Sequence, residues 1–442
     1  MNRSGICQVA LLFTFLAASG SPLAAHRAKE IALYDFCQSP CAYEPFGALT
    51  LDSVGNLYGA AGAGAGGEAG AIYELTPSAA GWNYSVLYSF QGAPDGQEPT
   101  GSLVFDGDGN LYGTTSRGGT NGEGTIFELS PSEGGEWTET VLYSFGGYAS
   151  DGTLPQAGVL FDGAGNLYGT TYGGGISSVP CPSYGCGTVF ELSPLAGGPW
   201  TESILYMFQA GSDGYAPESV LTMDGGGNLY GTTLVGGGPG CRNGSSYLGC
   251  GTVFELSGSG GGWAETVLYA FQGKRDGAGP LAGVILDSSG NLYGTAEFGG
   301  VSGLKPCSGG GSGGCGAVFE LSQIGGEWSE SVIHSFRGYE NGGEDGINPT
   351  SSLTTDPSGS LYGTTMRGGC CQSNGGYGTA FRLTKAGDGK WTEQRYPFST
   401  RAEGYYPLAG LVLDSDGNAY GTTTSGGGES GNGVIFEITP PN

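Results

Sequence analysis

The stretch Asp106 to Gly113 reads DGDGNLYG, and it decides the fold. An aspartate, then glycine and asparagine, then an alternating apolar and polar run marks a tight turn that feeds a β-strand. Further versions begin at Asp52, Asp162, Asp224, Asp287, Asp356 and Asp414, so the unit occurs seven times. The turn asparagines are Asn56, Asn110, Asn166, Asn228, Asn291 and Asn418, with Ser360 in the sixth copy; intervals of 54 to 69 residues suit one small sheet each.

Around Asp106 four strands are predicted: A over Ser102–Asp106, B over Asn110–Thr115, C over Thr125–Ser130 and D over Glu139–Phe145. Strand C alternates Phe127 and Leu129 against Ile126 and Glu128, and strand D sets Val141, Tyr143 and Phe145 against Leu142 and Ser144. Four antiparallel strands repeated radially are the blades of a β-propeller. The two ends are out of phase: Ile31 to Phe36 (IALYDF) has the pattern of strand D alone, and Gly433 to Thr439 (GVIFEIT) that of a strand C without its D. The expected fold is therefore an all-β, seven-bladed propeller of four-stranded antiparallel blades, closed by the N-terminal strand joining the last blade, one domain over 26–442. An open solenoid would need polar caps instead. All six tryptophans (Trp82, Trp137, Trp200, Trp263, Trp328 and Trp391) precede a strand D and are read as wedges between blades.

Residues 1–25 have the layout of a secretory signal peptide: Arg3, an apolar run from Ile6 to Ala18, then small residues. That run is short for a membrane span and no later stretch approaches about 20 apolar residues, so a secreted chain, extracellular or periplasmic and without membrane insertion, is expected. Glycine makes up 93 of 442 residues, a share that means disorder only without periodicity. The net charge of -26 with 13% charged residues reflects scarce Lys and Arg, which argues against nucleic acid or anionic membrane as a partner. A monomer is expected.

Of eleven cysteines, Cys7 leaves with the signal peptide. In an oxidising compartment the rest are expected to staple loops as Cys37/Cys41, Cys181/Cys186, Cys241/Cys250 and Cys307/Cys315. For adjacent Cys370 and Cys371 a vicinal bond, free thiols and other partners all stay open, because a vicinal bond forces a strained ring. Varied spacing and only two histidines argue against zinc.

Nearly all length variation lies between strands B and C. Propeller geometry puts the B–C and D–A loops on one face, so that face is elaborated and the other plain, and variable loops on a rigid scaffold are where binding resides. The face carries Tyr148, Tyr215, Tyr339 and Tyr405 in D–A loops and Tyr184, Tyr247 and Tyr377 in B–C loops. Such tyrosines stack on sugar rings or anchor a protein, and they are the expected ligand-binding residues for a carbohydrate or protein ligand.

Other chemistry has structural counterparts. His334 fills the strand-D slot of Tyr143, Tyr206 and Tyr269 and is read as a packing substitution. The strand-C glutamates Glu74, Glu128, Glu191, Glu255, Glu320 and Glu437, interrupted by Arg382, could serve a carbohydrate-active hydrolase or lyase if two met near the central channel. A residue repeated in every blade more often solves one structural problem each time, so no catalytic residue is assigned. Asp106-x-Asp108-x-Asn110 and Asp414-x-Asp416-x-Asn418 resemble short calcium loops, but the other copies lack the second aspartate and an Asp bonded to its own turn backbone suffices, so no cofactor is expected and calcium is the alternative.

The motifs D-x-x-G-N-L-Y-G-T-T, the following Gly-Gly and G-T-V-F-E-L-S, over Ile31 to Thr439, resemble the GloVer-repeat (choice-of-anchor tandem repeat) family of bacterial exported proteins. The resemblance implies export and a repetitive β architecture, and carries over no activity and no catalytic residue. The chain departs from the family in running from a strand pattern straight into Pro440-Pro441-Asn442, so no C-terminal anchor is expected.

Overall fold

The DGDGNLYG stretch folds as the turn between the two inner strands of a blade. Asp106 Oδ1 accepts from the backbone N–H groups of Asp108 and Asn110, both at 2.9 Å, while Oδ2 accepts from Asn110 Nδ2 at 2.8 Å and the Tyr112 hydroxyl at 3.1 Å. One carboxylate thus satisfies four donors and fixes the turn. The computed structural model describes residues 29–36, 42–64, 69–177, 181–195, 198–238, 241–243, 246–247, 249–259, 261–300, 307, 313–339, 345–370 and 375–439.

Among these, seven four-stranded antiparallel sheets form blades 1 to 7 over 50–89, 104–144, 160–207, 222–270, 285–335, 354–397 and 412–439. In blade 2, strand A is Val104–Phe105, B Leu111–Thr115, C Thr125–Pro131 and D Trp137–Ser144. Strand A is shorter than the sequence pattern, because only two residues reach the ladder to strand B. Strand D begins earlier, because the C–D hairpin stays paired out to Pro131↔Trp137. The N-terminal strand Lys29–Asp35 pairs antiparallel with Val434–Thr439, and the Phe36 N–H donates to Gly433 O at 3.1 Å, so the first segment completes the last blade and closes the ring.

The core lies between blades. Each strand D ends on a buried phenylalanine that meets a strand-C aromatic of the next blade edge to face: Phe90 with Phe127 at 5.1 Å, Phe145 with Phe190 at 5.2 Å, and, across the closure, Phe36 with Tyr73 at 5.3 Å. The strand-C ring also explains the glycine of L-Y-G: a Cβ on Gly113 would stand 2.6 Å from Phe127 Cζ. The tryptophans bridge backwards, Trp200 reaching Tyr112 and Trp82 reaching Tyr420, so each holds the tyrosine that holds a turn aspartate.

A second seam device was not read from the sequence. The residue before the proline leading into strand A has positive φ in all seven blades: Glu44, Glu98, Leu154, Ala216, Gly279, Asn348 and Tyr406. In blades 2 to 7 its N–H donates to the B–C loop of the preceding blade, as Leu154 N does to Glu123 O at 2.9 Å, and in all seven its carbonyl accepts from the residue after its own strand B, as Leu154 O does from Tyr172 N at 3.1 Å. The αL geometry costs energy for a side chain with a Cβ, and the paired hydrogen bonds offset it.

The pairs Cys181–Cys186, Cys241–Cys250 and Cys307–Cys315 are disulfides in the B–C loops of blades 3, 4 and 5. Cys370 is disulfide-bonded too. Cys37, Cys41 and the 1–25 segment lie outside the described residues. Among the described residues no helix is long and apolar enough to cross a membrane.

Candidate functional site

Short ladders join each D–A loop to the B–C loop of the same blade, such as Gln97↔Arg117 and Thr153↔Gly173, and bridges such as Tyr215↔Val235 and Tyr405↔Ser425 do the same elsewhere. The two loop types therefore share one face. At its centre the segments leading into strand A from all seven blades surround a cavity of about 470 Å³, lined by small residues such as Gly47, Gly101, Ala157, Ser219, Ala282 and Gly410 and also by Glu98, Arg117 and Glu218.

The structure gathers most of the expected tyrosines into two groups. Tyr184 is 42% exposed and stacks on Tyr172 with ring centroids 5.2 Å apart and planes 16° apart, their hydroxyls 3.2 Å from one another. Tyr215 lies beside them, largely buried, and Glu218 of the cavity wall is a further neighbour of Tyr172. In the second group Tyr377 lies 5.5 Å from Tyr405, which meets Tyr406 edge to face at 5.0 Å. Arg367 stands over the Tyr406 ring at 5.9 Å, and Tyr339 feels both. Tyr148 is exposed but turns aside, donating its hydroxyl to Glu202 at 2.7 Å in the groove between blades 2 and 3. The Tyr247 side chain lies outside the described residues, although its backbone pairs with Arg242.

Sequence reasoning missed Tyr172, Tyr406 and the charged residues in and beside the cavity wall. Arg117 Nε lies 3.0 Å from Glu98 Oε2. Burial, reinforced by the neighbouring Glu297, pushes the Glu218 carboxyl up to about 7. Burial also raises Glu297 to about 7 against the opposing pull of Arg367. The available signal was that these residues break the repeat.

The strand-C glutamates sit elsewhere. Glu74 and Glu320 accept from the strand-B tyrosines Tyr58 and Tyr293 at 2.8 and 2.9 Å, beside the Asp turns of the opposite face. They serve the turns and do not line the central cavity. Calcium does not fit those turns: the first aspartate of both Asp-x-Asp-x-Asn copies already accepts four hydrogen bonds from the chain, Asp414 as Asp106 does.

The sequence profile of the Gloeobacter/Verrucomicrobia repeat matches residues 27–241 and 304–442. The chain belongs to this repeat family. No curated protein matches it. Solved structures similar to this family member include a protein described as a 6-phosphogluconolactonase from Bacteroides uniformis, at 14% identity over 84% of this chain and 89% of that one, with a TM-score of 0.49. Another is described as an oxidoreductase (glucose dehydrogenase) from Thermus thermophilus, at 15% identity over 83% of this chain and 99% of that one, with a TM-score of 0.41. At such identities the likeness concerns the fold alone.

Proposed function

We propose that this repeat protein is a secreted binding or scaffold module that holds a carbohydrate or protein ligand on the face of the B–C and D–A loops. One observation carries the reading. At two positions per blade the backbone is held by the same hydrogen bond in all seven copies, while the side chains differ almost throughout. Before the proline they run Glu44, Glu98, Leu154, Ala216, Gly279, Asn348, Tyr406; after strand B they run Gly62, Ser116, Tyr172, Leu234, Glu297, Met366, Thr424. On the opposite face the Asp-turn motif hardly changes. A constant frame with changing side chains suits recognition, and the two tyrosine groups supply flat amphipathic surface for it. The test is a polysaccharide and glycan array with the purified chain, repeated with Y172A/Y184A and Y377A/Y405A. Each double substitution is expected to weaken binding about tenfold or more, equivalent to about 1.4 kcal/mol, at unchanged melting temperature. Binding that survives both would refute the assignment.

A second reading, an extracellular carbohydrate-active hydrolase or lyase, is favoured by Glu218 and Glu297. A carboxyl poised near 7 in the cavity wall, Glu218, with Glu297 as its neighbour, suits general acid catalysis. An acid and a base need values pushed apart, however, and these two are raised alike. Polysaccharide turnover abolished by E218Q at unchanged melting temperature would establish this reading over the first.

A further inference from the structure

In the grooves between neighbouring blades one constellation recurs. A strand-D tyrosine donates its hydroxyl at 3.1 Å to an aspartate of the following loop: Tyr88 to Asp95, Tyr143 to Asp151, Tyr206 to Asp213 and Tyr269 to Asp276. A strand-D glutamate of the next blade faces that aspartate: Glu139, Glu202, Glu265 and Glu330 in turn. The groove between blades 5 and 6 departs from this pattern. There His334 replaces the tyrosine, and it faces Asp345 and Glu393.

The exchange changes what the groove can hold. His334 Nε2 lies 3.6 Å from Glu393 Oε1, and both atoms are buried without a hydrogen-bond partner. One ligand atom from each of His334, Asp345 and Glu393 falls within 4.8 Å of the other two. The carboxylates are held in place from behind. Asp345 accepts from the backbone N–H groups of Arg337 at 2.9 Å and Gly346 at 2.7 Å, and Arg395 Nε lies 3.4 Å from the other oxygen of Glu393. At 3.6 Å the two atoms are too far apart for a hydrogen bond in either tautomer of the imidazole, and a cation seated between them satisfies both. Bonds of about 2.0 to 2.2 Å in tetrahedral arrangement set ligand atoms roughly 3.3 to 3.6 Å apart, so the separation of Nε2 and Oε1 matches a metal bite.

We infer that His334, Asp345 and Glu393 bind one first-row divalent transition cation of the zinc type in the groove between blades 5 and 6. The imidazole sets the class, since calcium and magnesium take oxygen ligands while imidazole with carboxylates suits zinc and its neighbours. The cation joins strand D of blade 5, the loop after it and strand D of blade 6, so it acts as a clamp across one seam. Water takes the fourth position. Arg395 repels a cation as well as orienting Glu393, which places this site below thiolate-rich structural zinc sites in affinity. The inference is independent of the loop-face reading, since the residues belong to the outer groove.

The test uses the full, tag-free chain stripped with a chelator and titrated with zinc chloride by calorimetry, with thermal melting in parallel. Wild type is expected to bind one equivalent and to melt higher with zinc. H334Y installs the residue of the other grooves, so it is expected to fold, to lose the binding and to show no zinc-dependent shift. E393Q keeps the size of the side chain and is expected to bind at least about tenfold more weakly, a loss of about 1.4 kcal/mol. Absence of stoichiometric binding in wild type, or binding of equal strength in H334Y or in E393Q, would overturn the site.

Discussion

Arg382 Nη2 donates to Asp356 Oδ2 at 3.0 Å, the place that an asparagine amide fills in the other copies, as Asn110 Nδ2 does for Asp106 at 2.8 Å. The sixth blade therefore departs from the repeat twice, at Ser360 and at Arg382, and one departure answers the other. Arg382 also donates to Ser360 Oγ at 3.2 Å and lies over the Tyr362 ring at 5.3 Å.

R382E alone sets a glutamate against Asp356 with no amide to hold it, and is expected to destabilise. S360N together with R382E rebuilds the turn of the other blades and is expected to recover most of the loss. The coupling should be about 1 kcal/mol, within the range for residues of one network. Denaturant unfolding of the four-member cycle measures it, and additive effects would show that the two departures are unrelated.

The closure of the ring gives a second prediction. At its outer rim the seam is well built: Tyr34 stacks on Tyr84 at 4.2 Å, and Ser430 Oγ donates to Phe36 O at 2.6 Å. At its inner rim it is poorer. Thr114 donates to Ala157 O of the next blade at 2.7 Å and Thr170 to Ser219 O at 3.0 Å, whereas the buried hydroxyl of Thr422 has no partner. F36A is expected to cost about 3 to 5 kcal/mol, as for other buried phenylalanines, and deletion of 29–36 to bare the edge of Val434–Thr439 and cause aggregation. Hydrogen exchange should show the amides of Lys29–Asp35 and Val434–Thr439 opening first. Equal protection in all blades would contradict this.

The repeat, the blade count and the closing strand were legible in the sequence because each is a local pattern or a phase offset between local patterns. Gly113 was legible as part of the motif, but its reason was not, since the Phe127 ring that covers it belongs to the next strand. The αL residues before proline were missed for a related cause: Leu154 takes that geometry because Glu123, in another blade, accepts its N–H. The same holds for the sites. Tyr184 and Tyr215 were visible as aromatics in the right loops, yet their grouping with Tyr172 depends on contacts between blades 3 and 4. His334 read as packing because Glu393, its partner, lies one blade further along the chain.

Disulfides in the B–C loops close sequence separations of 5, 9 and 8 residues. Loop-closure entropy gives each less than the roughly 3 kcal/mol of a 15-residue loop. The C181S/C186S variant is expected to keep cooperative unfolding and the β signal in circular dichroism, with a modest fall in melting temperature. Cys186 is fully buried in the core between blades 3 and 4, so part of the loss is packing and not chain entropy. Loss of cooperative unfolding on reduction would show that these bonds hold the ring itself.

Stability should peak in mild acid, for reasons of opposite sign on the two sides. Burial, with the facing aspartate adding to it, raises Glu139, Glu265 and Glu330 from the ordinary 4.5 to about 7. Burial raises Glu202 to the same value against the hydrogen bond from Tyr148, and burial with Glu403 raises Glu30 to about 9. The folded chain therefore keeps protons that the unfolded chain releases from about pH 4.5 upward. By linkage its stability falls as pH rises from there through 7, and further toward 9. The turn aspartates act the other way. For Asp106 burial pulls upward, but the hydrogen bonds from Asn110, Asp108 and Tyr112 outweigh it and hold the carboxyl below 3.8. Their contribution is present above that value and is lost in stronger acid. The optimum thus lies near pH 4 to 5, and growing negative charge steepens the decline above it. Melting temperatures from pH 3 to 9 measure the profile, and E139Q, E202Q, E265Q and E330Q combined should flatten it between 5 and 8. A melting temperature that rises from pH 5 to 8 would contradict the assignment of protons to these grooves.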